Sequence, residues 1–98
     1  MWGRGIYFAE DSRYSCPSYS YKVPYTSNTY EIFFSLVLIG DSIDLKGNSD
    51  SSLKAPPLKP GSSNEYYDSV KAFTNQSNIY IVYKNVKTYP SYLVRYSL

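Results

Sequence analysis

From Tyr30 to Ile39 the chain reads Tyr-Glu-Ile-Phe-Phe-Ser-Leu-Val-Leu-Ile, with no glycine or proline to break it. Successive side chains of a strand point to opposite faces. Ile32, Phe34, Leu36 and Leu38 therefore fall on one face, and Phe33, Val37 and Ile39 on the other. A strand apolar on both faces is expected to be central and covered on each side. The rest of the sequence contains no substantial helical pattern to provide that cover, so the set of elements reads as incomplete.

Other elements are shorter. Ile6 to Ala9 predicts a buried strand entered through Gly3 and Gly5, and Glu10-Asp11-Ser12 offers caps for a brief helical turn around Arg13 to Cys16, ended by Pro17. Tyr19 to Asn28 alternates tyrosines with polar residues around Pro24, the pattern of a surface loop. Gly40 to Asn64 is rich in Ser, Asp, Gly and Pro, which predicts a long loop anchored by Ile43, Leu45, Leu53 and Leu58. Strands are predicted at Tyr66 to Phe73, Asn78 to Tyr83 and Tyr92 to Tyr96, separated by a polar turn at Thr74 to Ser77 and a connection at Lys84 to Ser91. The fold class is α+β: five strands, mostly antiparallel, with one short helix.

Ninety-eight residues make at most one domain. Thirteen tyrosines and 43% hydrophobic residues describe a globular, strand-rich chain. A formal charge of +2 spread over isolated Lys and Arg builds no nucleic-acid footprint. No apolar run is long enough to span a bilayer as a helix, and no signal-peptide pattern is present. With the lone Cys16, these features set the expectation of an intracellular protein of the nucleus or cytoplasm, with no membrane partner. The chain has no histidine, which removes the commonest general base and metal ligand together and leaves no metal site. Asn75-Gln76-Ser77 satisfies a glycosylation sequon and reads as a polar loop.

The chemistry concentrates in the first nineteen residues. Gly3-Arg4-Gly5-Ile6-Tyr7-Phe8-Ala9 is followed by Ser15 and Tyr19. Aromatic faces, a hydroxyl and two glycines that admit close backbone approach suit a flat, amide-bearing ring such as nicotinamide. A Rossmann reading fails, because the third glycine of G-x-G-x-x-G would stand at Phe8.

This segment resembles the poly(ADP-ribose) polymerase-like ADP-ribosyltransferases, which carry a similar G-K-G-I-Y-F-A stretch followed by a serine and a tyrosine. Further blocks resemble the second half of that catalytic domain in the same order: Lys54 to Pro60, Tyr67 to Val70, Asn78 to Tyr83 and Tyr89 to Tyr96. The resemblance implies that residues 1–98 are the C-terminal half of an ADP-ribosyltransferase fold, the half bearing the triad histidine being absent. The 98 residues alone are then expected to be inactive. It also implies transfer of ADP-ribose from NAD, as co-substrate, to an acceptor protein with release of nicotinamide.

By the same resemblance Tyr7 is the tyrosine of a His-Tyr-Glu triad, and Gly5, Tyr7, Ser15 and Tyr19 bind the cofactor. Ser15 holds the carboxamide and Tyr19 offers the opposite stacking face, with Tyr14 and Tyr21 as competitors for that role. The triad glutamate position falls on Ile79, which accepts no hydrogen bond. Members with an apolar residue there are assigned mono-ADP-ribosyl transfer or no activity, so polymer synthesis is not expected. Asp68 is near in the family's arrangement, with no reason to substitute. Two other classes stand beside this one: an inactive transferase-shaped interaction domain, permitted by Ile79 and the missing histidine, and an aromatic RNA-binding module, for which the basic groove is lacking.

Overall fold

The computed structural model of the chain describes residues 1–84 and 88–98. Its elements are β1 (Ile6–Ala9), α1 (Ser12–Ser15), β2 (Tyr21–Lys22), β3 (Thr29–Val37), β4 (Ser42–Lys46), β5 (Ser69–Thr74), β6 (Ser77–Val82) and β7 (Thr88–Ser97). They form a four-stranded sheet ordered β1-β6-β5-β4 and a three-stranded sheet ordered β2-β3-β7. All pairings are antiparallel except β4 with β5. The mostly antiparallel α+β class holds, with seven strands rather than five among the described residues.

The first sheet owes its core to register. Tyr7 pairs with Ile81, Ile81 with Val70, and Val70 with Ile43, so one row crosses all four strands on the same face. Ala9, Ile79 and Ala72 form the next row. Val70, Ala72, Ile79 and Ile81 are buried, and Trp2 joins them from the segment before β1. Tyr14 of α1, Leu53 and Tyr83 pack against this cluster. Burying a Val or Ile side chain is worth roughly 1.5–3 kcal/mol, so these rows dominate the stability of the sheet.

Local chemistry sets the connections. Asn75 and Gln76 both have positive φ (48° and 65°) between the paired Thr74 and Ser77, which makes the β5–β6 loop a two-residue hairpin turn of the I′ kind. Asp11 caps α1 by accepting from the Arg13 N–H at 2.9 Å. Between Pro57 and Tyr67 the chain folds back on itself: the Lys59 N–H donates to the Glu65 carbonyl, the Tyr67 N–H to the Pro57 carbonyl, and Leu58 bridges to Tyr66.

Five expectations need correction. The predicted Gly40 to Asn64 loop contains β4, because Ser42-Ile43-Asp44-Leu45-Lys46 alternates and is completed by pairing with a distant parallel strand. A two-residue strand lies within the predicted Tyr19 to Asn28 loop. The predicted strand from Tyr66 begins at Ser69, since Tyr66 belongs to the preceding foldback. Strand β3 is central in its sheet but is covered on neither face: Phe33 and Phe34, on opposite faces, are 62% and 60% exposed. The Lys84 to Ser91 connection is strand from Thr88 onward, and its residues 85–87 lie outside the described residues.

The β3–β7 pair holds together edgewise. Tyr30 stacks on Tyr96 with ring centres 5.7 Å apart, and Arg95 donates to the cross-strand Glu31 at 2.9 Å. A bulge between Phe34 and Ser35 shifts the register where Pro90 takes its place opposite Ser35. The molecule is consequently elongated, 53 × 25 × 19 Å.

Candidate active site

Tyr7 leaves β1 on the core face, and its hydroxyl is held by backbone. The Trp2 N–H donates to it at 2.9 Å, and it donates to the Gly3 carbonyl at 2.7 Å. Its hydroxyl is thus engaged by the chain's own backbone as both acceptor and donor.

The two glycines are required by the protein itself. Gly3 has φ +79°, and a Cβ there would run into the Leu53 carbonyl, whose oxygen accepts from the neighbouring Arg4 N–H at 3.1 Å. A Cβ on Gly5 would collide with Ile81 Cγ2 and press on the Tyr83 ring. The close approach expected for a ligand is therefore used here by strand β6 and the Leu53 segment.

Ser15 ends α1. Its carbonyl accepts from the Tyr19 N–H at 2.9 Å and from Ser20 Oγ at 3.2 Å, which folds residues 15–20 into a compact turn. Among the described residues its hydroxyl engages no protein partner. Tyr19, placed by that turn, is 71% exposed and stacks on Tyr14 with centroids 5.5 Å apart and planes 13° from parallel. Tyr14 in turn packs on the core, and burial, with the Tyr19 and Tyr7 phenols beside it, raises its pKa. The ring stacked on Tyr19 is therefore Tyr14, a competitor already evident in the sequence, while Tyr21 on β2 shares with Tyr19 an exposed hollow lined also by Ile32, Phe33 and Leu93.

Ile79 sits in β6 with 1% of its surface exposed, opposite Ala9 and Ala72. It lies one step along the same sheet face from the Tyr7–Ile81 pair, so the structure brings Tyr7 and Ile79 together in one core. A cleft of about 320 Å³ is lined by Asp11, Arg13, Tyr14, Ser18, Tyr19, Asn75 and Gln76; of the predicted site residues it takes in Tyr19, while Gly5, Tyr7, Ser15 and Ile79 lie outside its lining. Asp11 and Arg13 pair at its rim, and that hydrogen bonding holds the Asp11 carboxyl down at about 2. Asp68 lies elsewhere, accepting from the Asp41 N–H at 2.9 Å. Among the described residues no group of three or more acidic, Cys or His side chains is gathered to hold a metal, and no helix is long and apolar enough to cross a membrane.

Sequence reasoning missed Trp2. It is 4% exposed, its indole Nε1–H donates to the Asn48 carbonyl at 2.9 Å, and its carbonyl accepts from Tyr83 Oη at 2.6 Å. The available signal was that the chain's single tryptophan stands directly before the glycine pair.

The whole chain, residues 1–98, matches the family model of the poly(ADP-ribose) polymerase catalytic domain. The chain belongs to that family. A mouse (Mus musculus) relative, protein mono-ADP-ribosyltransferase PARP12, is 34% identical over 96 residues, covering 98% of this chain and 12% of that protein. Human (Homo sapiens) protein mono-ADP-ribosyltransferase PARP11 is 32% identical, covering 96% of this chain and 31% of that protein. Human PARP14, also named a protein mono-ADP-ribosyltransferase, is 29% identical over 97% of this chain and 5% of its own length. The chain thus spans a small part of the relatives it matches. The blocks that resemble the poly(ADP-ribose) polymerase catalytic domain fall on β1 and α1, the Pro57–Tyr67 foldback, the entry to β5, strand β6 and strand β7.

Proposed function

We propose that this domain takes part in mono-ADP-ribosyl transfer: NAD donates ADP-ribose to a side chain of an acceptor protein, and nicotinamide leaves. The C1′–N bond breaks with its electron pair departing on nicotinamide, positive charge spreads over the ribose, and the acceptor's nucleophile closes on C1′ as its proton is lost to water. In this reading the Tyr7 ring packs against the nicotinamide and its ribose, the unengaged Ser15 hydroxyl holds the carboxamide, Gly5 shapes the backbone beneath, and Tyr19 closes the other face after parting from Tyr14.

The observation that carries the reading is Ile79. A buried, apolar side chain beside Tyr7 offers no carboxylate to polarise a ribose hydroxyl, so one transfer is supported and chain elongation is not. The names of the relatives agree with that choice. The reading also calls on residues beyond these 98 for a histidine, since the chain has none, and for cover over the exposed faces of β3 and β7. That cover belongs to the same domain in this proposal, the 98 residues being one part of it.

A second reading is favoured by specific contacts. The Tyr7 hydroxyl is satisfied by backbone, and Tyr14 already occupies the face of Tyr19, as in a transferase-shaped domain that has lost catalysis. One experiment separates the two. The region of mouse PARP12 preceding the matched stretch is joined to Met1, and the chimera is incubated with NAD labelled on its adenylate phosphate. Transfer of label to protein, reduced at least tenfold in Ser15→Ala and Tyr7→Ala and partly kept in Tyr7→Phe, supports catalysis. A folded chimera that transfers nothing supports the inactive domain, and transfer indifferent to Tyr7 and Ser15 removes the site.

A further inference from the structure

A second cleft, of about 360 Å³, lies between the Pro57–Tyr67 foldback and the end of β6, and no residue of the proposed NAD site lines it. Its walls are Pro56, Tyr66, Tyr67 and Tyr83, with Lys54 and Lys84 at the rim and Asp68 at the side. We propose that this cleft binds a nucleoside 5′-monophosphate, and that it does so independently of the NAD reading.

Three features of the lining select that ligand. Tyrosine rings and a proline give apolar walls for a flat base. Lys54 and Lys84 are exposed cations with no acidic partner among the described residues, suited to a phosphate dianion. Asp68 is a carboxylate of the kind that accepts from ribose hydroxyls, and it is held in place by the Asp41 N–H. An acidic peptide fits less well, because it brings neither a flat base for the rings nor ribose hydroxyls to donate to that carboxylate. The volume lies at the low end for small-molecule sites, a match for a mononucleotide rather than a whole dinucleotide.

The wall is also stiffened from behind. Tyr83 Oη is tied to the Trp2 carbonyl at 2.6 Å, so its ring is fixed in orientation before any ligand arrives. Because Trp2 is the chain's single tryptophan, its fluorescence reports on Tyr83 from inside the core.

The test is titration of the 98-residue chain with AMP, followed by amide chemical shifts and Trp2 fluorescence. AMP is expected to bind in the submillimolar range and to shift Tyr66, Tyr67, Tyr83 and Lys84. Adenosine and inorganic phosphate should each bind about tenfold more weakly, and Lys54→Ala and Lys84→Ala, both exposed and neutral to folding, should each weaken AMP about tenfold, near the loss of one charge-assisted contact. Ser15→Ala should leave AMP binding unchanged. No AMP binding overturns the proposal, as does inorganic phosphate binding as tightly as AMP. Loss of AMP binding in Ser15→Ala with retention in both lysine variants moves the nucleotide to the other site and overturns it equally. Preference for a phosphotyrosine peptide, or for a 5′-phosphorylated oligonucleotide over AMP, rejects the free mononucleotide as occupant.

Discussion

Tyr7 and Tyr83 grip the two ends of one residue's backbone: the Trp2 N–H donates to Tyr7 Oη at 2.9 Å, and Tyr83 Oη donates to the Trp2 carbonyl at 2.6 Å. These bonds come from β1 and from the end of β6, and they fix the segment that carries the glycine pair. Removing either hydroxyl leaves a partly buried backbone group unsatisfied, at about 1–3 kcal/mol. Tyr7→Phe and Tyr83→Phe are each expected to lower stability by that amount in urea denaturation read by Trp2 fluorescence. The double variant should lose less than the sum, because both act through Trp2. Additive losses would show that the two hydroxyls do not share a common element.

Alkaline pH should loosen the same clamp. Burial pushes the Tyr83 phenol up to about 12 from an ordinary 10.0, with the Tyr7 phenol and the Asp50 carboxylate adding to the shift. The folded state therefore favours the neutral phenol. Its contribution is complete below about pH 10 and is lost as pH rises through about 12. Denaturation midpoints of the native chain should fall between those values. Tyr83→Phe should flatten that part of the profile, and an unchanged slope would assign the alkaline loss to other groups.

The glycines respond differently to a methyl group. At Gly5 an added Cβ meets the Ile81 side chain, the Tyr83 ring and the Val82 carbonyl, so overpacking of about 1–3 kcal/mol is expected from Gly5→Ala. At Gly3 the obstacle is backbone, the Leu53 carbonyl, and φ is +79° as well. Gly3→Ala should therefore be the more damaging of the two by thermal denaturation. The reverse order would mean that the Leu53 segment yields easily and that β1 is anchored chiefly through β6.

Legibility in the sequence followed the range of the interactions. β1, β6 and the turn at Thr74 to Ser77 were visible because apolar runs and polar turn residues are local signals. β4 was not, since five alternating residues in a Ser- and Gly-rich stretch become a strand only by pairing in parallel with β5, more than twenty residues away. The exposed faces of β3 were misread for a related reason: apolar alternation shows which side chains lie on each face, and whether anything packs on that face is decided by the tertiary arrangement, which leaves Phe33, Phe34 and Leu36 exposed. At the site, Tyr7, Ser15 and Ile79 were marked by the resemblance, but the role of Gly3 and Gly5 in packing against Leu53 and Ile81 depends on contacts about fifty or more residues apart. Tyr14 as the partner of Tyr19 follows from the turn closed by the Ser15 carbonyl, which no spacing rule specifies.

Ile79 gives the sharpest test of how the site is built. It is sealed between Ala9 and Ala72, so a glutamate there has to give up its water with no donor supplied by either neighbour. Burial of an unpaired carboxylate raises its pKa and disfavours the folded state wherever the group must ionise. For Ile79→Glu the folded pKa would lie above the unfolded value of about 4.3, so the penalty is smallest in acid and grows as pH rises through neutrality. The expected loss is about 3 kcal/mol or more at pH 7, less at pH 4, while Ile79→Gln loses stability equally at both and Ile79→Val loses about 1 kcal/mol. In the chimera Ile79→Glu should accordingly fail to convert single transfer into polymer synthesis, because the carboxylate costs the strand that positions it. An Ile79→Glu chain as stable as the native one at pH 7 would mean that this position opens onto water, and the assignment of a sealed, apolar partner to Tyr7 would have to be given up.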